Sequence, residues 1–412
     1  MLAIHGGTPV RSKAWGDWPI ITEADKKAVM SVFDANCFTG FRAGQYDGGP
    51  KVKELEQKIA NHTGSAHAIS FDTWSNGIFA ILLALGIKPG DEVILPTYTM
   101  TACASMIIAC GAVPIFVDID KSTCNISPEL IQNAITLKTK AIMAVHLFGF
   151  SSDIEKISKI AEYYDLWLIE DCAQSPYTFF NNKRCGTFGD VGGFSFTQNK
   201  HVMSGEGGCA ITNNEQINNS LRYLRNHGEV CTFPELSQNF ATNLVRKEGL
   251  PGFNFRMTEM SAALACSQWD SLLKETQHRQ LLSSFLNEEF KSITNIDIFQ
   301  QDNYNSSYFL YPLRYTGKAS KSTICKAINA EGINVLDGYC KPIYRQSLYS
   351  SFLPWSIKEY GNLSNYLPNN FPNTELIQYN ELLVFTDVRS PNTLDDMKDI
   401  VMAVKKVLKF YE

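Results

Sequence analysis

Between residues 67 and 212 the chain alternates two kinds of segment. One kind is a short, nearly unbroken apolar run: HAISF (67–71), EVILP (92–96), VPIFVDI (113–119), AIMAVHLF (141–148) and LWLIED (166–171). Such runs are too short for buried helices and lack the in–out alternation of a half-exposed strand. They predict strands covered on both faces. FSF (194–196) and CAIT (209–212) predict two shorter strands. The other kind, as in residues 77–85 and 152–163, repeats its apolar positions at helical spacing. Strand and helix in alternation predict an α/β fold, with a mostly parallel sheet sandwiched between helices. Ligands of such sheets gather beyond the carboxyl ends of the strands. Chemistry is therefore expected just after each strand.

A longer helical pattern opens at Thr258, a residue type that caps helix N-termini. Its neighbour Glu259 suits the positive end of a helix dipole. The pattern runs into the 280s. Residues 301–307 are polar and turn-like, YFLYPLRY (308–315) predicts a strand, and further strand and helix patterns continue to Glu412. The expected division is an N-terminal arm (1–20), a large domain (21–265) and a smaller C-terminal α/β domain (266–412).

Composition narrows the function classes. With 412 residues, 44% of them hydrophobic and 19% charged, the chain has enough apolar mass for two cores. The net charge of −5 comes without a long basic block, which argues against a nucleic-acid partner. The longest uncharged run, residues 93–117, contains Thr, Ser, Gly and Pro and reads as strand, helix and strand, not as a membrane span. The first fifteen residues lack the apolar centre of a secretory signal. The eleven cysteines are odd in number, scattered, and without C-x-x-C spacing. The expectation is a cytoplasmic protein with reduced, mostly buried thiols and no metal site.

Three strand ends carry candidate chemistry. LWLIED ends in Asp171, a carboxylate that is costly to bury without a cationic or hydrogen-bonding partner. Alone it could equally cap the following helix. FSF is followed by Lys200 and then by Gly205, Gly207 and Gly208. A lysine in an apolar pocket loses proton affinity and becomes a nucleophilic amine suited to imine chemistry. Alone it could equally be an exposed loop lysine. The glycines after it suggest backbone passing close to something bulky. HAISF leads into Ser75, Asn76 and Gly77, read as a helix start whose free N–H groups could hold a phosphate or serve only as an ordinary cap. Taken together, a phosphate site, a strand-end carboxylate and a lysine on one sheet fit pyridoxal 5'-phosphate (PLP).

With those residues in place, the chain resembles the DegT–StrS group of sugar and aminocyclitol aminotransferases. The resemblance covers nearly the whole chain: IHGGTPV…WP, ALGIKPGDEVILPTYT, AVHLFG, LIEDCAQS, GDVGGFSFTQNKHVMSGEGG, RNHGE and GFNFRMTEMSAA, in this order. It implies the aspartate-aminotransferase-like architecture (PLP-dependent transferase fold type I) and transamination. By resemblance, Lys200 forms the imine with the cofactor and shuttles the proton. Asp171 binds the pyridine nitrogen, Gln174 the phenolic oxygen, and Ser195 with Gly77 and Ile78 the phosphate. Asn254 of G-F-N-x-R-M is implied to reach the phosphate of a neighbouring subunit, and His227 of RNHGE to face it too, which makes a homodimer with shared sites. Two positions depart from the pattern: Ile78 stands where a hydroxyl is usual, and Met100 where an aromatic ring stacks on the cofactor. Some relatives are dehydratases with histidine in place of the lysine. His201 is adjacent, but counting five residues from Ser195 gives Lys200. FSFTQNKHVMSGEGG, CKPIYRQSLY (340–349) and FPNTELI (371–377) look most like the branch of aminocyclitol aminotransferases and 3-amino-5-hydroxybenzoate synthases. The implied substrates are a keto-sugar, often nucleotide-linked, or a cyclitol ketone, with glutamate or glutamine as donor. The competing implications are a dehydratase or aromatising synthase on the same scaffold, and a PLP-binding accessory subunit without turnover.

Overall fold

The expected strands of the first half assemble into one seven-stranded sheet. A computed structural model describes residues 1–40, 48–231, 244–246, 251–299 and 304–412, with backbone alone at 229–231, 244–246 and 304. The strands are β1 (His67–Phe71), β2 (Glu92–Pro96), β3 (Val113–Val117), β4 (Thr139–Val145), β5 (Trp167–Asp171), β6 (Val191–Ser195) and β7 (Gly208–Thr212). Their order across the sheet is β1-β7-β6-β5-β4-β2-β3. The links β3–β2, β2–β4, β4–β5 and β5–β6 are parallel, while β7 runs antiparallel to both β6 and β1. Every strand but β7 thus points its carboxyl end at the same edge. That edge receives the residues after β1, β2, β5 and β6.

After α1 (Glu23–Asp34), helices cover both faces. One face packs Leu55 and Ile59 of α2 (Pro50–Thr63) with Ile157 of a later helix (Ile154–Tyr163) and Trp269 of a long one. The other packs Ile78 and Ile81 of α3 (Trp74–Ala84) with Ile107 of α4 (Ala102–Ala109). Two covered faces explain why the strands read as continuous apolar runs. The long helix, α5 (Glu259–Phe290), starts at Thr258, whose side chain accepts from Ser261 N–H. Its Ala265, Trp269 and Leu272 belong to the sheet core, while Leu282, Leu286 and Phe290 belong to a second core. That second core covers a four-stranded antiparallel sheet of Ile296–Ile298, Tyr311–Tyr315, Leu382–Phe385 and Val335–Asp337, in that order. The N-terminal residues dock here as well: Leu2 is buried in this core, and Arg11 pairs with Asp396 at 2.8 Å.

Three expectations are corrected. AIMAVHLF leaves the sheet at Val145, because Phe148 takes a left-handed turn at φ +58°. YFLYPLRY is a strand only from Tyr311, because Tyr308 turns at φ +48°. The helix expected from residue 77 begins three residues earlier, at Trp74, with Thr73 as its cap. None of the ten cysteines with described side chains is joined in a disulfide, and nine are buried; the Cys231 side chain lies outside the described residues. Among the described residues no helix is long and apolar enough to cross a membrane.

Candidate active site

The strand ends open on a cavity of about 720 Å³, within the ~300–1,000 Å³ typical of small-molecule and cofactor sites. Lys200, Asp171, Gln174, Ser195, Met100 and Ile78 all line it. Phe309, Tyr339 and Arg389 of the C-terminal part close it from the opposite side.

Lys200 stands on a loop that leaves β6 and returns as β7. The loop is pinched at its base by Phe196 N–H to Gly207 O (2.9 Å) and Ser204 N–H to Phe196 O (2.8 Å). Within it, Lys200 N–H bonds Thr197 O at 2.9 Å, a turn that aims the side chain into the cavity. Its Nζ lies 4.4 Å from the Phe309 ring centroid and has no hydrogen-bond or ion-pair partner among the described residues. Burial pushes its pKa down to about 8, with the Asp171 charge pulling the other way. The amine is thus available as a neutral nucleophile near neutral pH. His201 is turned away from this cavity. It is buried, its Nε2 donates to Ser307 O at 2.9 Å, and it lines a different cavity. Burial, followed by the Arg279 charge, holds its pKa well below the ordinary range, so the ring is neutral. Of the two adjacent residues, Lys200 lines this cavity and His201 lines the other.

Asp171 and Glu170 end β5 and point to opposite faces of the sheet, as consecutive strand residues must. Glu170 accepts from Gly186, Phe188 and Gly189 N–H (each 2.7 Å) and from His146 Nε2 (3.0 Å). It secures the turn before β6. Asp171 faces the cavity. Its Oδ1 accepts from Trp74 Nε1 (3.0 Å) and Ala173 N–H (2.9 Å), and its Oδ2 from the Cys103 thiol (3.2 Å).

The helix start differs from the expectation. Gly77 N–H is spent on Thr73 O (3.1 Å), and Asn76 N–H on Thr73 Oγ1 (3.1 Å). Gly77 and Ile78 lie inside the first turns, and the N–H groups ahead of the capped one belong to Trp74 and Ser75. Gly77 serves packing: a Cβ there would lie 2.9 Å from the Trp74 ring. The glycines after Lys200 also make room for protein. A Cβ on Gly208 would meet the Trp74 backbone at 2.6 Å, and one on Gly207 the Met257 methyl at 2.6 Å, while Gly205 turns at φ +80° with open space around it.

Gln174 is buried, accepts from Phe148 N–H (2.8 Å) and donates from Nε2 to Tyr339 Oη (2.8 Å). Its second Nε2 hydrogen remains for a ligand. Ser195 is buried at the end of β6. Met100 is 59% exposed at the rim, where its thioether can lie against an aromatic face. Asn254 is exposed, pairs its backbone with Asn226, and is not part of this cavity's wall; His227 is exposed nearby at φ +56°. The sequence reading missed Trp74, Cys103, Tyr339 and Arg389. Trp74 and Cys103 follow strand ends and were within reach of the same rule. Tyr339 and Arg389 follow strands of the other sheet, and nothing local ties them to Lys200.

The set fits PLP: a cavity of suitable volume, an unpaired amine, a carboxylate with one weakly engaged oxygen, and unspent N–H groups at a helix start. A protein-family model described as the DegT/DnrJ/EryC1/StrS aminotransferase family matches residues 31–404. The chain is 35% identical over 272 residues to the L-glutamine:2-deoxy-scyllo-inosose aminotransferase of Streptomyces kanamyceticus, covering 66% of this chain and 63% of that protein. It is 32% identical over 349 residues to the GDP-4-keto-6-deoxy-D-mannose 3-dehydratase of Yersinia pseudotuberculosis, covering 81% and 84%. Among solved structures, the aminotransferase from Psychrobacter cryohalolentis superposes with a TM-score of 0.84 at 26% identity, covering 96% of this chain and 99% of that one.

Proposed function

We propose that this chain, which belongs to the DegT/DnrJ/EryC1/StrS aminotransferase family, moves an amino group from glutamate or glutamine to a ring ketone of a keto-sugar or cyclitol. It is an aminotransferase of that family, and its cofactor is PLP. The observation that carries the reading is the placement of Lys200 in the cavity beside the wall that holds Asp171, with His201 turned out.

When bound, PLP supplies an electron sink for a carbanion at the amino-bearing carbon. This chain's residues do the rest. Lys200 Nζ, with its proton affinity lowered by burial, takes the proton from the donor's α-carbon and returns it. Asp171 holds the ring nitrogen through its less engaged oxygen. Gln174 gives its remaining N–H to the phenolic oxygen. Ser195 and the N–H groups of Trp74 and Ser75 hold the phosphate, a role that α3's positive end favours. Met100 covers the ring at the mouth. A homodimer with shared sites would complete the arrangement, with Asn254 and His227, both exposed and outside the wall of this cavity, serving a neighbour's site. Similarity to an aminotransferase that acts on an inosose supports a cyclic ketone as acceptor.

The test is incubation of the PLP-loaded protein with glutamine or glutamate, ¹⁵N-labelled at the α-amine, and a panel of keto-sugars and cyclitol ketones, read by mass spectrometry. A product that gains the labelled amino group is expected. Loss of water without nitrogen, the chemistry named for the dehydratase relative, overturns the reading.

A further inference from the structure

Trp74 is buried at 5% exposure in a slot that three separate elements vacate for it. A Cβ on Gly77 of α3 would lie 2.9 Å from its Cε3, one on Gly193 of β6 2.1 Å from its Cη2, and one on Gly208 of β7 2.6 Å from its Cα. None of these glycines has a left-handed φ, so each is required for space and not for backbone conformation. The slot fixes the indole in one orientation, and that orientation delivers Nε1–H to Asp171 Oδ1 at 3.0 Å.

The two oxygens of Asp171 are consequently unequal. Oδ1 receives two N–H donors, from Trp74 and from Ala173 N at 2.9 Å. Oδ2 receives the Cys103 sulfur at 3.2 Å. A thiol is a weak donor. Burial and the Asp171 charge hold the Cys103 pKa well above its ordinary range, so it stays protonated and cannot repel the carboxylate. A carboxylate pinned on one oxygen by two strong donors cannot swing about its final bond, and the oxygen left to a weak donor is the one a ring N–H can claim.

We propose that Trp74 is a positioning residue for the cofactor: with Ala173 it saturates Asp171 Oδ1 and thereby presents Oδ2 to the PLP ring nitrogen. The inference rests on Asp171 being the partner of that nitrogen. The test is Trp74→Phe, which keeps an aromatic ring in the glycine slot and removes only the N–H donor. One charge-assisted hydrogen bond is lost beside the ligand, so PLP affinity should fall about five- to tenfold. The pH midpoint of the bound cofactor's visible absorbance should also move, which a packing role alone would not cause. Affinity and midpoint both unchanged in a folded Trp74→Phe protein overturn the proposal. Should that variant fail to fold, the native protein decides: in ¹⁵N-indole spectra of Trp-labelled protein, one of the six indole N–H signals should be exchange-protected without cofactor and shift when PLP is added. No such signal overturns the proposal equally. Failure of the underlying reading looks different, since Asp171→Asn would then leave PLP affinity unchanged.

Discussion

Buried amines are worth testing through their pH dependence, and Lys200 gives a quantitative case. Its pKa of about 8 makes it about 24% neutral at pH 7.5, whereas an ordinary lysine at ~10.4 is about 0.1% neutral, roughly a 200-fold difference in available nucleophile. Covalent capture of PLP by the cofactor-free protein should therefore rise with pH and level off above about 8. Below that midpoint the rate should fall roughly tenfold per pH unit. The Asp171 charge raises this pKa, so Asp171→Asn should shift the midpoint to lower pH, even though it also weakens cofactor binding. Stopped-flow absorbance across pH 6–10.5, in native and Asp171→Asn proteins, reads the midpoint independently of amplitude. A midpoint near the ordinary lysine value, or an alkaline shift in the variant, would refute the argument that burial opposed by Asp171 sets the reactivity of Lys200.

Other outcomes follow from the same geometry. Lys200→Ala should abolish the borohydride-reducible link to PLP; a surviving link would move the assignment to another amine. His201→Gln should keep amino transfer within about threefold, because His201 bonds Ser307 and lines another cavity; a loss as deep as that of Lys200→Ala in steady-state kinetics contradicts the frame. In the cofactor-free protein, the lowered pKa of Lys200 means that the unfolded chain binds more protons between about pH 8 and ~10.4, so stability should rise with pH across that window and the penalty be complete below it. Lys200→Met should flatten this slope in urea titrations. Gly193→Ala puts a Cβ 2.1 Å from the Trp74 ring and should cost about 1–3 kcal/mol or more by overpacking, read by urea unfolding. For the homodimer, mixing and refolding Lys200→Ala with Asn254→Ala should restore up to about a quarter of native activity, the statistical yield of intact shared sites; no recovery from two soluble, inactive variants argues that each chain completes its own site.

Much of the architecture was legible along the chain because it depends on local patterning. Two-sided burial leaves uninterrupted apolar runs, and these placed all seven strands of the large sheet. Asp171 and Lys200 were visible because a charge at the end of such a run conflicts with burial and demands a reason. What the pattern could not show is where backbone leaves regular structure for a local cause. The left-handed turns at Phe148 and Tyr308 cut two expected strands short, yet each serves the site: Phe148 N–H anchors Gln174, and the turn at Tyr308 is followed by Phe309, beneath the Lys200 amine. The Thr73 cap moved the helix start and with it the available N–H groups.

The sequence by itself determined the order of elements, the class of sheet and the two charges at its edge, because apolar period and strand-end polarity are properties of neighbouring residues. Only the tertiary structure decided that Lys200 faces the cavity and His201 does not, since adjacent loop residues are told apart by what packs on each side. It also decided that Gly77, Gly193 and Gly208 empty one slot for Trp74, although they lie up to 131 positions apart in the numbering. A glycine in the sequence records only the absence of a side chain. Which distant group occupies the space it leaves is settled when three elements close around one indole and direct its N–H to Asp171.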